Sequence, residues 1–402
     1  MVERKPLAGL RVADFTWIGA GAYTTKLLSD WGADVIKIES RARLDSLRDA
    51  KPFKDRIPGV NRSGYFADRN GGKRSVTLDL KTPRGLDYAR RLIATSDIVA
   101  NNFSPGVMDR LGLGYEAIRK FHPEIIYVAM SMQGATGPYS RELGFGLTIS
   151  ALTGFQHLTG LPDRLPAGTG TNYPDHIPNP CHAVFAILAA VRHRRRTGQG
   201  QQIDIAQTEP TIALLGPTIL DASVNGVVQT RRGNSHPDFS PHGVYPARGD
   251  DRWIAIAVTN DEQWRSLAAV LGLALEPWMD RAARIEGRAA LDQQVAERTS
   301  TWDASELTAK LQENGVPAGP VQDARDISHD PQLQARGHFR RHHHAEMGLC
   351  TYNGPPFSIS GAESGPATAA PLLGQDTEAV LSEILGCSSE EIERARSEGA
   401  LQ

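Results

Sequence analysis

The first 130 residues alternate short apolar runs with amphipathic stretches, and this alternation restricts the fold more than any other feature of the chain. Leu10-Arg-Val-Ala-Asp-Phe15 reads as a strand, Gly19-Ala-Gly21 as a turn, Tyr23 to Trp31 as a helix stopped by Gly32, and Val35-Ile-Lys-Ile-Glu39 as the next strand. A strand followed by a helix and a further strand returns parallel to the first, because the crossover brings the chain back to the same end of the sheet. The pattern repeats at Ser75–Leu80, with a helix opened by Lys81-Thr-Pro83, and at Asp97–Ala100, with a helix over Asp109–Phe121. Ile125–Ala129 and Gln201–Ala206 add two more strands. A parallel α/β sheet follows. Ligands of such sheets bind beyond the carboxyl ends of the strands, which draws attention to Asn101-Asn102-Phe103-Ser104-Pro105-Gly106.

Gly19-x-Gly21 with Glu39 further on imitates a dinucleotide fingerprint, but Thr24 stands at the third glycine position, so the turn specifies no nicotinamide cofactor. Lys73, Arg74, Lys81 and Arg110 fall near strand-to-helix junctions and together suit an anionic, phosphate-bearing ligand.

A chain of 402 residues exceeds what one core usually organises. Composition changes near residue 230, where the polar run Arg231 to His242 has no periodicity. Beyond it, Gly243–Tyr245 and Trp253–Val258 suggest antiparallel strands, with charged helices at 261–272, 287–299 and 303–314 and a loop at Gly315–Pro320. The expected domains are a large α/β domain over 1–215, a linker over 216–242, a small α+β domain over 243–325, and a linker with a returning segment over 326–402. The net charge of −2 gives no basis for nucleic-acid binding, and no apolar run is long enough to span a membrane. Three scattered cysteines fit a reducing compartment, so a cytoplasmic protein is expected. His342-His-His344 has no carboxylate or cysteine companions at metal spacing and reads as a solvated loop.

One acid stands out. Gly168-Thr-Gly-Thr-Asn-Tyr-Pro-Asp175-His-Ile-Pro-Asn-Pro180 is rich in glycine and proline, and its spacing predicts no regular structure. It leads into the apolar helix start Ala183–Val191, a basic run at Arg192–Arg196, and a Thr197-Gly198 stop. On local spacing alone, Asp175 is a helix cap or a turn residue.

Landmarks along nearly the whole chain resemble the third family of CoA transferases, which includes formyl-CoA, carnitine-CoA and benzylsuccinate-CoA transferases and the α-methylacyl-CoA racemases. The matching stretches are Leu10–Phe15, Gly32–Glu39, Gly72–Lys81, Asn102–Gly112, Ala186–Ala190 with Arg196–Gln201, Gly315–Val321 with Asp330–Leu333, and Pro371–Gly374. The resemblance implies a large Rossmann-like parallel-sheet domain with a smaller α+β domain, in an interlocked homodimer; a heteromer with a homologous subunit is the other arrangement found among such proteins. It implies acyl-CoA and a carboxylic acid as substrates, with no metal. Asp175 takes the place of the covalent nucleophile, which carries the acyl group as an anhydride and then CoA as a thioester.

By position, CoA contacts fall on Trp17, Ile18, Gly19 and Ala20, on Leu78, Asp79 and Lys81, on Asn102, Phe103 and Ser104, and on Arg110. Arg41 lies one residue past the position where relatives carry an arginine, which is Ser40 here. Amides around Gly144-Phe145-Gly146 and Gly233 are candidates for stabilising the anhydride. Asn179, where relatives have a glycine, is a candidate for substrate preference. The racemase branch uses a histidine about where Phe145 stands. Without it the chain lacks that proton carrier, so transfer is favoured over racemisation, with succinyl-CoA as a candidate donor. A non-catalytic partner subunit is the remaining alternative, and the presence of Asp175 argues against it.

Overall fold

The computed structural model describes residues 5–402. Six parallel strands form the main sheet: β1 (Arg11–Asp14), β2 (Asp34–Glu39), β3 (Arg74–Thr77), β4 (Ile98–Asn101), β5 (Ile126–Ala129) and β6 (Gln201–Asp204), in the order β3-β2-β1-β4-β5-β6. Val12 faces Val35 on one side and Ile98 on the other, so the strand order reverses between β1 and β4. The helices are α1 (Ile18–Asp30), α2 (Gly64–Asn70), α3 (Pro83–Ala94), α4 (Val107–Arg110), α5 (Tyr115–Ile118), α6 (Gly146–Leu152), α7 (Tyr173–His176) and α8 (Pro178–Thr197), with further ones beyond.

Side chains two apart along a strand share a face, so each strand feeds two cores. Ala13, Ile36, Ile38, Val76, Val99 and Tyr127 pack on one face with α3. Val12, Val35, Ile98, Ala100, Ile126 and Val128 pack on the other, against Ala183, Ile187, Ala190 and Val191 of α8. Both faces being covered explains why these strands read as continuous apolar runs. The end of the chain joins the first core through Val380, Leu381, Ile392 and Leu401, and Asp376 accepts a hydrogen bond from the Ser75 amide at 2.8 Å.

Two compact units result among the described residues, one of residues 5–156, 168–228 and 333–402, the other of 157–167 and 229–332. The second holds the antiparallel sheet β7 (His242–Pro246), β8 (Trp253–Ala257) and β9 (Ala318–Pro320), closed over Trp264, Leu267, Leu291, Val295, Leu307 and Leu311. The segment read as the loop Gly315–Pro320 thus supplies an edge strand, where Pro320 costs no central ladder bond.

Other expectations are corrected by the structure. The helix expected over Asp109–Phe121 is two single turns, α4 and α5, separated by a stretch in which Gly112 takes a left-handed φ of 68°. The histidines 342–344 lie in a hairpin of β10 (Phe339–His344) and β11 (Gly348–Asn353), where His344 is buried and its Nδ1 accepts the amides of Glu346 and Met347. The stretch around Asp175 is helical at α7 and again from Pro178. Prolines stand in the first turn of each helix, where the missing N–H would have had no partner. Gly198 ends α8 in the left-handed region, at φ 70°.

Candidate active site

A cavity of about 110 Å³ opens at the reversal between β1 and β4, lined by the N-terminus of α1, the turn after β4, the segment after β5 and the approach to α6. It gathers Ile18, Gly19, Ala20, Asn102, Ser104, Gly144, Phe145 and Asp175, together with Ser131, Met132, Glu142 and Gln207, which the sequence did not single out.

Asp175 is 3% exposed. α7 presents it to the first turn of α1, where a Cβ added at Gly19 would lie 2.7 Å from Asp175 Cβ and 2.8 Å from its Oδ2. Only glycine leaves room for that approach. No hydrogen bond reaches the carboxylate among the described residues. Burial pushes its pKa up to about 6, and the charge of Arg69 works in the opposite direction.

The start of α1 is clamped from three sides. Asn102 accepts the Trp17 amide at 2.8 Å and donates to the Trp17 carbonyl at 2.7 Å. The Ile18 amide donates to Asp45 Oδ1 at 3.1 Å, and Lys37 Nζ, 2.9 Å from Asp45 Oδ2, donates to the Thr16 carbonyl at 2.6 Å. Lys37 and Asp45 are buried. This clamp holds Ile18 at φ 58°, a conformation costing a β-branched residue ~1–3 kcal/mol. Its pieces are scattered along the sequence, and the apolar setting of Lys37 in β2 is the one hint the sequence offers.

The other expected contacts distribute unevenly. Trp17 packs edge-on against Phe103, with ring centres 5.6 Å apart, and carries the guanidinium of Arg43 at 5.1 Å. Arg43, two residues past the singled-out Arg41, is thus the arginine at this ring; Arg41 lines a separate hollow with Asp49 and Gly59. Leu78 lies in the core, Asp79 accepts the Lys81 amide at 3.0 Å, and Lys81 is exposed beyond β3. Arg110 is exposed at the end of α4. None of these four lines the cavity.

Gly146 sits where a Cβ would meet Asn172 at 2.7 Å, just behind Phe145. Asn179 is fully buried in the first turn of α8, and both its side-chain polar atoms lack a partner among the described residues. Gly233 belongs to the second unit, in a hollow lined also by Asn234, His242 and Gly319.

Ser131 and Gln207 shape the far wall. The Gln207 amide donates to the Ser131 carbonyl at 3.0 Å and its Nε2 to the Met130 carbonyl at 2.7 Å, while Ser131 Oγ is buried without a partner among the described residues. The lining holds no lysine, arginine or histidine. Among the described residues no cluster of metal-ligating side chains occurs, and no helix is long and apolar enough to cross a membrane.

The fold and cavity together define a doubly wound α/β protein with its ligand site at the carboxyl edge of the sheet. Residues 7–377 match the model of CoA-transferase family III. A succinate–glutarate CoA-transferase of Agrobacterium fabrum is 36% identical over 344 residues, 84% of this chain and 85% of its own length. A succinyl-CoA:mesaconate CoA-transferase of Haloarcula hispanica is 35% identical over 387 residues, covering 94% of this chain and 96% of its own length. The crystal structure of a CAIB/BAIF family protein from Brucella suis matches with a TM-score of 0.88 at 34% identity, over 95% of this chain and 100% of that one. The chain belongs to CoA-transferase family III, and it is a CoA-transferase acting on CoA thioesters and carboxylic acids.

Proposed function

We propose that this enzyme moves CoA from succinyl-CoA to a second carboxylic acid through covalent intermediates on Asp175. The observation that carries the reading is the Asp175 carboxylate itself, buried, free of hydrogen bonds among the described residues and pressed against Gly19 at the sheet's ligand edge. A carboxylate stripped of water is a better nucleophile than a solvated one, and a pKa of about 6 leaves it mostly ionised near neutral pH.

In the first step an Asp175 oxygen bonds to the thioester carbonyl carbon and the C–S bond breaks, giving an aspartyl anhydride and CoA thiolate. The thiolate then attacks the Asp175 carbonyl, the anhydride C–O bond breaks, and the donor acid departs, leaving aspartyl-CoA. The acceptor carboxylate attacks that thioester and releases the thiolate, which attacks the acceptor's carbonyl to form the new acyl-CoA and restore Asp175. No net proton moves, which suits a lining without histidine or lysine.

Free amides at Gly19 and Ala20 in the first turn of α1 suit the oxyanions formed at Asp175. Trp17, Phe103, Asn102 and Ser104 form the wall assigned to the CoA arm, while Lys81 and Arg110, with Arg43, suit its phosphates. Succinyl-CoA is named because relatives are a succinate–glutarate, a succinyl-CoA–D-citramalate and a succinyl-CoA:mesaconate CoA-transferase. A homodimer fits the exposed apolar residues of α8, Phe185 and Leu188.

Oxygen-18 labelling tests the cycle. With a fully labelled acceptor acid, one labelled oxygen is left on Asp175 in the first turnover and leaves with the donor acid in a following turnover in which that oxygen is the one that attacks the thioester. Transfer without label in the released acid contradicts the proposal.

A further inference from the structure

Charge around Asp175 is lopsided. On the cavity side the lining carries two carboxylates, Asp175 and Glu142, and no cation, so a second carboxylate on an incoming acid would be repelled there. On the side of α2 stands Arg69, its guanidinium 4.4 Å from the centre of the Tyr23 ring and 5.6 Å from that of Tyr65. Both rings meet His176 edge-on with centroids 6.3 Å apart, and Tyr65 Oη lies 3.2 Å from His176 Nε2. Arg69 is therefore caged by side chains packed on the residue that follows Asp175.

The cage engages the guanidinium through a side-chain hydrogen bond with Tyr65 and leaves one of its nitrogens unused. Arg69 is 7% exposed, and its Nη1 donates to Asp68 at 2.6 Å. Its Nε is buried and has no hydrogen-bond partner among the described residues. Asp68 is engaged on its other oxygen by Asn353 Nδ2 at 3.0 Å. A buried donor without a partner is costly unless a ligand completes it, and the guanidinium fork matches a carboxylate with two parallel bonds. Other cations nearby are spoken for. His176, pushed down to about 4 by burial, is neutral near neutral pH. Lys26, 5.9 Å from the Tyr23 ring, is paired with Asp30 at 2.5 Å.

We infer that Arg69 binds the free, non-reacting carboxylate of the acid held at Asp175, which makes that acid a short dicarboxylate; the inference rests on Asp175 being the acyl carrier. Arg69 is then a specificity-determining residue that reads the far end of the substrate while Asp175 works on the near end.

Matched acids test this in the full-length protein. Succinate and butyrate, like glutarate and pentanoate, share chain length and differ in the second carboxylate. Their binding in the presence of CoA is measured by calorimetry for the wild type, Arg69→Met and Arg69→Lys, with melting curves to establish that each variant is folded. Arg69→Met is expected to weaken the two dicarboxylates roughly 30-fold or more and to leave the monocarboxylates within about 3-fold, with Arg69→Lys between. Equal loss for both kinds of acid, or no loss for either, overturns the assignment. Mass spectrometry of the same proteins with acyl-CoA separates the two readings: no adduct on Asp175 in the wild type, with discrimination intact, overturns the carrier role and leaves the carboxylate site standing.

Discussion

Asp175 should make the fold less stable as the pH rises, and replacing it should remove that penalty. The unfolded chain releases this proton near 3.8, whereas burial in the fold holds it until about 6. Between those values the folded protein binds a proton that the unfolded chain has lost, so stability is full below the lower value, falls as pH rises through the interval, and is level above it. A shift of this size, at about 1.4 kcal/mol per pH unit, amounts to ~3 kcal/mol at pH near 8, an order-of-magnitude figure for a buried group. Asp175→Asn keeps the shape and removes the charge. With unfolding entropy of about 2 cal/mol/K per residue, the variant should melt roughly 3–5 °C higher than wild type near pH 8 and within about a degree of it near pH 4. Calorimetric scans of both proteins across that range measure the difference. A gap that is constant with pH would refute burial as the cause, and a less stable variant near pH 8 would show that the carboxylate has a stabilising partner.

Other outcomes follow from the same geometry. The acidic limb of kcat/KM should rise with pH through a midpoint near 6 as Asp175 ionises; a pH–rate profile checks this, and a flat profile between about pH 5 and 7 contradicts it. Gly19→Ala forces a Cβ to 2.7 Å from that of Asp175, so kcat/KM should fall at least roughly 100-fold while the melting temperature moves little, read by paired kinetics and melting curves. Asp45→Ala releases the Ile18 amide and takes from the buried Lys37 its paired carboxylate, leaving it the Thr16 carbonyl, which should cost ~1–3 kcal/mol in denaturant unfolding; loss of less than about 1 kcal/mol would mean the pair is not what holds Ile18. Ile18→Gly removes the penalty of the left-handed φ, and its stability should equal or exceed that of wild type.

The layered sheet was legible because its cause is periodic. Val12, Ile36, Val99 and Tyr127 sit in apolar runs separated by helices, and a parallel sheet covered on both faces requires that pattern. What misled was local chemistry read without position. Pro174, Pro178 and Pro180 looked like helix breakers and instead occupy first turns, where they break nothing. The site was legible in part. Asp175, Gly19 and Asn102 were found through a family pattern, whereas the Asp45–Lys37 clamp, the unpartnered Ser131 hydroxyl and the Arg69 cage depend on contacts between segments far apart in the chain. A buried lysine inside a strand and an arginine in the short helix before Gly71-Gly72 leave no periodic trace. Arg41 was drawn in by its closeness to a family position, and the β-bridge between Ser40 and Arg43 shows what spacing alone could not: the tight turn carries Arg43, and not Arg41, back to Trp17.

The covalent role of Asp175 can be read on the protein itself. The enzyme is incubated with succinyl-CoA, trapped with hydroxylamine or borohydride, and its peptides are weighed. Hydroxamate at Asp175 or its reduction to the alcohol, absent without the thioester and absent in Asp175→Asn, is the predicted result. An unmodified Asp175 peptide from enzyme that is turning over would contradict the account.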